Sequence, residues 1–124
     1  MVLGGPFGDR APEIRGTPHN GAALATLYCA LMVDHCLDLL QVKGDVIVVG
    51  GYLKNPLLCA LIGQLRGDQP VFLSSDEAGT IRGVAQLTTW SAPVSLASQL
   101  CVPSEITGLE DYCSSWHKQI GGVT

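Results

Sequence analysis

Apolar residues along this chain follow two spacings, one typical of helices and one typical of buried strands. The first stretch has apolar side chains three and four positions apart, which predicts a helix over 19–42 with one core-facing stripe. That stripe consists of Leu24, Leu27, Tyr28, Leu31, Met32, His35, Cys36, Leu39 and Leu40. The second stretch, 46–49, has four β-branched residues in succession. Such a run predicts a strand that is covered on both faces, as the strands of parallel sheets are.

The rest of the chain is predicted to alternate helices and strands. This alternation indicates an α/β fold, in which helices pack on a mainly parallel sheet. The predicted elements are a helix over 19–42, a strand over 45–49, a helix over 56–66, a strand over 71–73, a helix over 77–90, a mixed segment over 91–103 that is extended near 94–96, and a helix from 104 to 120. Residues 1–16 are rich in glycine and proline and are interpreted as a loop with a strand remnant, and 17–124 as the α/β unit.

Local signals set several of these boundaries. Thr17-Pro18 and Asn55-Pro56 each combine an N-capping side chain with a proline at the first helical position. Gly67 follows the last apolar residues of the second helix, where glycine commonly ends helices. These signals predict helix starts near 18 and 56 and a helix end near 67.

The segment 45–58 contains the best candidate site. A glycine pair, Gly50 and Gly51, follows the β-branched strand, and Asn55 opens the next helix. Glycine has no Cβ, so the chain can turn sharply there and a flat ligand can lie against the backbone. In open α/β sheets, ligands bind just beyond the carboxyl ends of strands. The pattern therefore predicts a binding loop, and the alternatives are a tight turn without a ligand and a purely capping Asn55.

This segment resembles the adenosine-binding motif of the FGGY carbohydrate kinases, which belong to the actin and hexokinase superfamily. In that motif the second glycine and an asparagine four positions later contact the adenosine of ATP. The resemblance places these contacts on Gly51 and Asn55, with Gly50 shaping the turn. Four other segments resemble family segments in the family's order, namely 6–16, 61–71, 79–85 and 112–116.

Departures from the family pattern leave the substrate subfamily open. Residues 28–33 stand where the family often has an Arg-Ala-x-x-Glu-Gly run, and the family's Ala-Ala pair is kept only as Val84-Ala85. The catalytic Asp of the family has no counterpart. The resemblance therefore implies that 1–124 is the carboxyl-terminal part of a ribonuclease-H-like ATPase domain without its early strands. Such a piece is expected to be a gene fragment or one half of a split gene.

The resemblance also implies a function. The parent would be an ATP-dependent kinase that transfers the γ-phosphate to a hydroxyl of a sugar or polyol, with Mg²⁺ accompanying the nucleotide. This chain would supply the adenosine-side wall and would be inactive alone, because the missing domain holds the sugar. Its expected partners are ATP and either the remainder of the kinase or a second copy. The alternative is a non-catalytic kinase remnant that acts as a binding or interaction module.

Composition and charge argue against several other classes. The net charge of −4, with basic residues scattered singly, is not expected of a nucleic-acid-binding protein. The longest apolar stretch, 21–33, ends at Asp34 and is shorter than the roughly 18 residues of a membrane span. The first residues lack the pattern of a signal peptide. We therefore expect a cytoplasmic protein that does not bind membranes.

The remaining residues with reactive or ligating side chains predict no catalytic or metal site. The cysteines lack paired or zinc-like spacing, which predicts free and mostly buried thiols. They lie at positions 29, 36, 59, 101 and 113. Lys54 is interpreted as a solvated charge and Tyr52 as an exposed aromatic, with phosphate contact and adenine stacking as their alternatives. Gly79 and Gly83, four apart, predict close packing of a helix on the sheet.

Overall fold

Four helices and three strands make up the regular structure of the described residues, which in the computed structural model are 13–75, 79–92 and 97–120. In chain order they are α1 (Gly21–Leu39), β1 (Val46–Val48), α2 (Pro56–Arg66), β2 (Val71–Ser74), α3 (Gly79–Gln86), β3 (Ser98–Leu100) and α4 (Leu109–Ile120). Two 3-10 turns, Gly50–Lys54 and Leu87–Thr89, follow β1 and α3. The family-like residues 6–12, the predicted strand remnant before residue 13 and the extended stretch at 94–96 lie outside the described residues.

The chain divides into two compact units. Met1–Leu24 and Ile106–Thr124 form one unit, in which the described regular structure is the start of α1 and all of α4. Ala25–Glu105 forms the second unit and contains the sheet, α2 and α3. The candidate site predicted from the sequence lies in this second unit.

The sheet has the strand order β1–β2–β3. β1 and β2 run parallel, with Val46 opposite Val71, which confirms the predicted parallel pairing. β3 runs antiparallel to β2, with Phe72 opposite Leu100. The expectation of a mainly parallel sheet is therefore wrong for this strand, and the described sheet is mixed. The physical reason is that β3 begins at the end of the sheet where β2 finishes. The chain does not return to the amino ends of β1 and β2 before β3 begins, so β3 runs in the opposite direction.

Helix α1 is shorter than predicted at both ends. The Asn20 side-chain oxygen accepts a hydrogen bond from the backbone N–H of Ala23 at 3.1 Å, so Asn20 caps the helix and Thr17 does not. At the other end Gln41 has φ 53, and a left-handed residue just past the last turn is a common helix terminator. The helix therefore stops before Gly44 is reached.

The predicted apolar stripe of α1 is only partly buried. Ala30, Leu31 and Asp34 are the buried residues of the helix. Tyr28 is 42% exposed and Leu40, just beyond the helix, is 74% exposed, although both were assigned to the stripe. The buried face of α1 was predicted incorrectly, because the prediction from apolar spacing counts only apolar residues as buried. Here a carboxylate is buried with them, since an arginine of α2 pairs with it.

That arginine, Arg66, joins α2 to α1. Its Nη1 donates to Asp34 Oδ1 at 3.0 Å and to Asp38 Oδ1 at 2.7 Å, and its Nε donates to Gln69 Oε1 at 2.8 Å. The side chains of Arg66 and Asp34 are only 11% and 8% exposed. Burial alone would lower the pKa of Arg66, but the hydrogen bonds to Asp38 and Asp34 outweigh burial and raise it. The guanidinium therefore stays charged and satisfies the buried carboxylate.

Helix α2 agrees with its prediction at both ends. It begins at Pro56 directly after Asn55, and Gly67 follows it with φ 49 as the C-cap, donating its N–H to the Gln64 carbonyl at 3.2 Å. Its buried residues are Leu58, Cys59, Leu61, Ile62 and Gly63. The local signals were sufficient here because the capping residues act within one turn of the helix.

The segment after β3 packs on α2 and does not begin the last helix. The Ser104 hydroxyl donates to Gln64 Oε1 at 2.6 Å, and its backbone N–H donates to the Ala60 carbonyl at 3.0 Å. Helix α4 begins only at Leu109, after Gly108 at φ 84. The prediction that Ser104 opens the helix is therefore wrong, because its hydroxyl is used in a tertiary contact.

Helix α3 is shorter and more exposed than predicted. It ends at Gln86 and continues as the 3-10 turn Leu87–Thr89. A Cβ added at Gly79 or Gly83 would meet nothing within 4 Å, so the predicted close packing of this helix on the sheet is wrong for the described residues. Its apolar side chains, together with those just after it, are exposed at 61% to 82%, and they are Ile81, Val84, Leu87 and Trp90.

Helix α1 is long and apolar enough to cross a membrane by length and composition alone. It has 19 residues and is therefore longer than the uninterrupted apolar run 21–33. The mean hydropathy of its most apolar window is 1.4. Core helices of soluble proteins and signal sequences pass the same test. Asp34 and Asp38 lie within it, and both pair with Arg66 of α2. The expectation that the chain does not bind membranes stays a prediction.

We expect Arg66→Ala to lower the free energy of unfolding by about 3 kcal/mol, because removing one partner of a buried ion pair is strongly destabilising. Urea unfolding followed by circular dichroism measures the change.

Arg15→Ala is the matched control. Arg15 pairs with Glu13 at 2.9 Å, but the two side chains are 64% and 61% exposed. Exposed pairs contribute little to stability, so the control variant should unfold as the wild type does. Equal destabilisation by the two substitutions would show that the Arg66 pair does not hold α2 in place.

Candidate functional site

The ends of the strands bring the candidate residues to one edge of the sheet. β1 and β2 are parallel, so their carboxyl ends lie at the same edge, and β3, which is antiparallel to β2, begins there. The segment 49–55, which we call the Gly-Gly loop, leaves β1 at this edge and leads into α2. The predicted site therefore occupies the position at which α/β sheets generally bind ligands.

Gly50 makes the turn that the sequence predicts. Val49 is still extended, with φ −131 and ψ 162, and Gly50 then adopts φ 69 as the first residue of the 3-10 turn Gly50–Lys54. The left-handed region is costly for residues with a Cβ but open to glycine. The direction of the chain after β1 thus depends on this glycine.

Gly51 leaves open space beside the backbone. It is exposed, its φ does not require glycine, and a Cβ placed on it would meet nothing within 4 Å. A side chain is therefore excluded neither by the backbone conformation nor by neighbouring atoms of the described residues. The bare backbone at this position can be approached by a ligand, which is the geometry that the predicted contact requires.

Asn55 caps α2, as predicted. Its Oδ1 accepts a hydrogen bond from the Leu58 N–H at 3.1 Å, and Pro56 follows at the first helical position. Its own backbone N–H donates to the Tyr52 carbonyl at 3.1 Å, which ties the cap to the 3-10 turn. A capping asparagine uses its oxygen, so its side-chain amide retains two N–H donors.

Cys59 supports the Gly-Gly loop from inside the protein, a role that sequence reasoning missed. Its Sγ donates to the Tyr52 carbonyl at 3.4 Å, the carbonyl that also accepts from Asn55. Burial, and then the nearby Cys101, raise the pKa of the Cys59 thiol. The thiol therefore stays protonated and acts as a donor. The sequence signal for this role was the position of Cys59, one turn into the helix that Asn55 and Pro56 open.

The two other candidates in the loop are exposed, as expected. Tyr52 is 54% exposed, and Lys54 is exposed at the end of the 3-10 turn. Adenine stacking by Tyr52 and phosphate contact by Lys54 stay predictions.

The cysteines are free, as predicted, but they are not mostly buried. Cys59 and Cys101 are buried, Cys113 is half-buried, and Cys29 and Cys36 are exposed. The difference has the same cause as the misplaced stripe of α1, because that helix buries the face that carries Asp34.

Two clefts lie at opposite edges of the sheet in the described part of the chain. The larger, about 560 Å³, lies at the amino edge and is lined by residues 42–43 and 65–70. Two of its polar side chains already have partners, since Gln69 donates to the carbonyls of Val42 and Gly44 and Arg66 holds the two aspartates. The smaller, about 460 Å³, lies at the carboxyl edge and is lined by Leu53 and by residues 73–75 and 97–99. This second cleft adjoins the Gly-Gly loop through Leu53.

The two glycines should differ in what a methyl group does to stability. We expect Gly50→Ala to lower the free energy of unfolding by about 1 to 2 kcal/mol, because it forces an alanine into the left-handed region. Gly51→Ala should leave stability unchanged or raise it slightly, because its backbone needs no glycine and its surroundings are open. Urea unfolding of the two variants makes the comparison, and equal losses would contradict the assignment of the turn to Gly50.

Comparison with known proteins identifies a family for this chain. The family model described as "Carbohydrate kinase FGGY, C-terminal domain" matches residues 2–96. The matched range contains the Gly-Gly loop, β1, β2 and the first three helices, and it ends before β3. No curated protein and no solved structure matches the chain. Since the match covers well over half of its length, the chain belongs to the FGGY carbohydrate kinase family, as a carboxyl-terminal domain.

Proposed function

We propose that this chain is the adenosine-binding part of an ATP-dependent carbohydrate kinase. The observation that carries the proposal is the open backbone of Gly51 at the carboxyl end of β1, next to a capped helix start. Family membership supplies the reaction class, and the loop supplies a surface against which the flat nucleoside can lie.

The residues of the Gly-Gly loop would act on the nucleoside in different ways. Gly51 would let the adenosine approach the main chain. Asn55 would donate a hydrogen bond from its side-chain amide, because its oxygen is engaged by the Leu58 N–H. Gly50 and Cys59 would not contact the ligand, but would hold the loop in the binding conformation.

The rest of the kinase chemistry belongs to the remainder of the parent protein. In the proposal the domain is ribonuclease-H-like, and Mg²⁺ arrives with ATP and neutralises charge on its phosphates. The sugar or polyol and the catalytic base are held by the other domain, so this chain alone transfers no phosphate. By fixing the nucleoside, the Gly-Gly loop would help to position ATP for phosphate transfer, since holding reactants in place lowers the barrier to reaction.

A non-catalytic remnant that acts as an interaction module is the second candidate. It is favoured by the exposed apolar residues of α3 and its continuation, of which Trp90 is 82% exposed. Exposed apolar patches on small domains commonly mark association surfaces. The two functions differ in one respect that can be measured, because only the kinase requires the Gly-Gly loop to bind ATP.

We expect Gly51→Val to weaken ATP binding to the chain at least tenfold, because the isopropyl group fills the space that adenosine needs. Asn55→Ala should weaken binding by a smaller factor and should also lower stability by about 1 kcal/mol through the lost cap. Asn55→Asp should bind as weakly as Asn55→Ala while keeping its stability, since the carboxylate caps the helix but donates nothing. Dissociation constants from an equilibrium titration with ATP, together with urea unfolding, separate the two effects.

Gly79→Val is the control for Gly51→Val. It places the same side chain on a glycine that is equally open but lies in α3. It should leave ATP binding unchanged. Normal binding of ATP by Gly51→Val would refute the proposed site, and normal binding by Asn55→Asp would show that Asn55 acts only as a cap.

A further inference from the structure

We propose that the outer side of β3, which faces away from β2, is a docking site for a second copy of this chain. The second copy would add its own β3 in the antiparallel direction and join the two sheets into one. The inference goes beyond the proposed function and does not depend on it. β3 lies outside the family match, which ends at residue 96, so the match gives this strand no role.

β3 is an edge strand of the described sheet, with β2 as its neighbour. The Ser75 N–H donates to the Ala97 carbonyl at 3.0 Å, and the Cys101 N–H donates to the Val71 carbonyl at 2.8 Å. These two hydrogen bonds lie beyond the two ends of β3, so the antiparallel ladder runs from Ala97 to Cys101. The strand that is available for pairing is therefore longer than β3 itself.

The backbone N–H and carbonyl groups of Ser98 and Leu100 point to the outer side of β3. Along an antiparallel strand, residues turn these groups alternately to one side and to the other. Ala97 and Cys101 bond to β2, so the residues that alternate with them face away from it. Ser98 and Leu100 are both exposed. Unpaired backbone groups of an edge strand form a template for pairing with another chain.

The composition of the segment 97–102 allows two copies to pair with each other. Proteins commonly protect edge strands from association with charged side chains or with proline. The segment, Ala-Ser-Gln-Leu-Cys-Val, contains neither. Although the chain has a net charge of −4, two copies that meet at this segment bring no like charges of the segment together.

An exposed apolar row crosses the sheet and ends at β3. Ile47 lies opposite Phe72, and Phe72 lies opposite Leu100, so the three side chains share one face of the sheet. Ile47 and Leu100 are 46% and 59% exposed, and Phe72 is half-buried. Pairing of β3 with its copy about a two-fold axis at Leu100 would place the two Leu100 side chains side by side. The two apolar rows would then form one row across both sheets.

The same two-fold axis satisfies the outer side of β3 with its own groups. Leu100 of each copy would exchange N–H and carbonyl hydrogen bonds with Leu100 of the other, and Ser98 would lie opposite Val102 of the second copy. Val102 is 81% exposed, and Pro103 after it favours an extended backbone. Two identical antiparallel strands are complementary to each other, as an isologous interface requires. A second copy therefore fits this site.

The size of the interface predicts a weak dimer. The contact consists of one pair of short strands and the apolar side chains beside it, which is less than the roughly 800 Å² that each partner buries in a stable interface. We therefore expect a dissociation constant on the order of 100 μM and a dimer that forms only in concentrated solution.

Sedimentation velocity over a concentration series that spans this value tests the proposal. The wild-type chain should change from monomer to dimer across the series. Leu100→Lys should weaken dimerisation at least tenfold, because it places two ammonium groups side by side at the axis. Leu100→Pro should do the same and keep the fold, since the N–H that proline removes faces away from β2.

Trp90→Lys is the matched control. It adds the same charge at another exposed apolar position, just after the 3-10 turn that continues α3. It should dimerise as the wild type does.

Hydrogen exchange of the wild-type chain gives a second readout, which decides together with Leu100→Pro if Leu100→Lys does not fold. The Leu100 amide should exchange freely in dilute solution and become protected at the concentrations at which the dimer forms.

Three results would overturn the inference. The first is a wild-type chain that stays monomeric across the series. The second is loss of the dimer in Trp90→Lys but not in Leu100→Lys, which would assign association to the exposed side chains of α3 and its continuation. The third is a Leu100 amide that is protected in dilute solution, which would show that the chain itself covers the outer side of β3. These measurements use no ATP, so their outcome is independent of the proposed function.

Discussion

The buried ion pair between Arg66 and Asp34 determines where α2 lies against α1. The two side chains are almost completely buried, and the Arg66 guanidinium also holds Asp38 and Gln69. A shift of α2 relative to α1 would break this buried ion pair, which is strongly unfavourable. Because Asn55 caps α2, fixing the helix also fixes the end of the Gly-Gly loop. The candidate site thus depends on an interaction at the opposite end of the same helix.

The Gly-Gly loop combines a fixed frame with an open surface. Gly50 sets the direction of the turn, and the Tyr52 carbonyl accepts hydrogen bonds from both Asn55 and Cys59. Gly51 lies within this frame, and among the described residues nothing lies within 4 Å of the position that a Cβ would take. A loop that is already held in one conformation loses little freedom on binding, which favours affinity. In the proposal the adjacent glycines therefore have different roles, since Gly50 shapes the fold and Gly51 contacts the nucleoside.

The parts predicted correctly from the sequence are those set by local chemistry. The start of α2 after its N-cap Asn55 and its end before its C-cap Gly67 depend on groups within one turn of the helix. The buried face of α1 could not be predicted, because it depends on a charge pair between Asp34 and a residue 32 positions later. For the site, the sequence was sufficient to locate the loop, because the glycine pair and the asparagine lie close together in the chain. The antiparallel pairing of β3 with β2 could not be predicted, because it depends on contacts between distant residues such as Phe72 and Leu100.

The central claim is that ATP binds at the carboxyl edge of the sheet, on the Gly-Gly loop. An amide chemical-shift titration of the ¹⁵N-labelled chain with ATP tests it directly, because each backbone N–H reports its own surroundings. The account predicts the largest shifts at Gly50, Gly51 and the amides around Asn55, with little change around Arg66. Shifts centred on Arg66 and the amino-edge cleft, or no shifts at millimolar ATP, would contradict it.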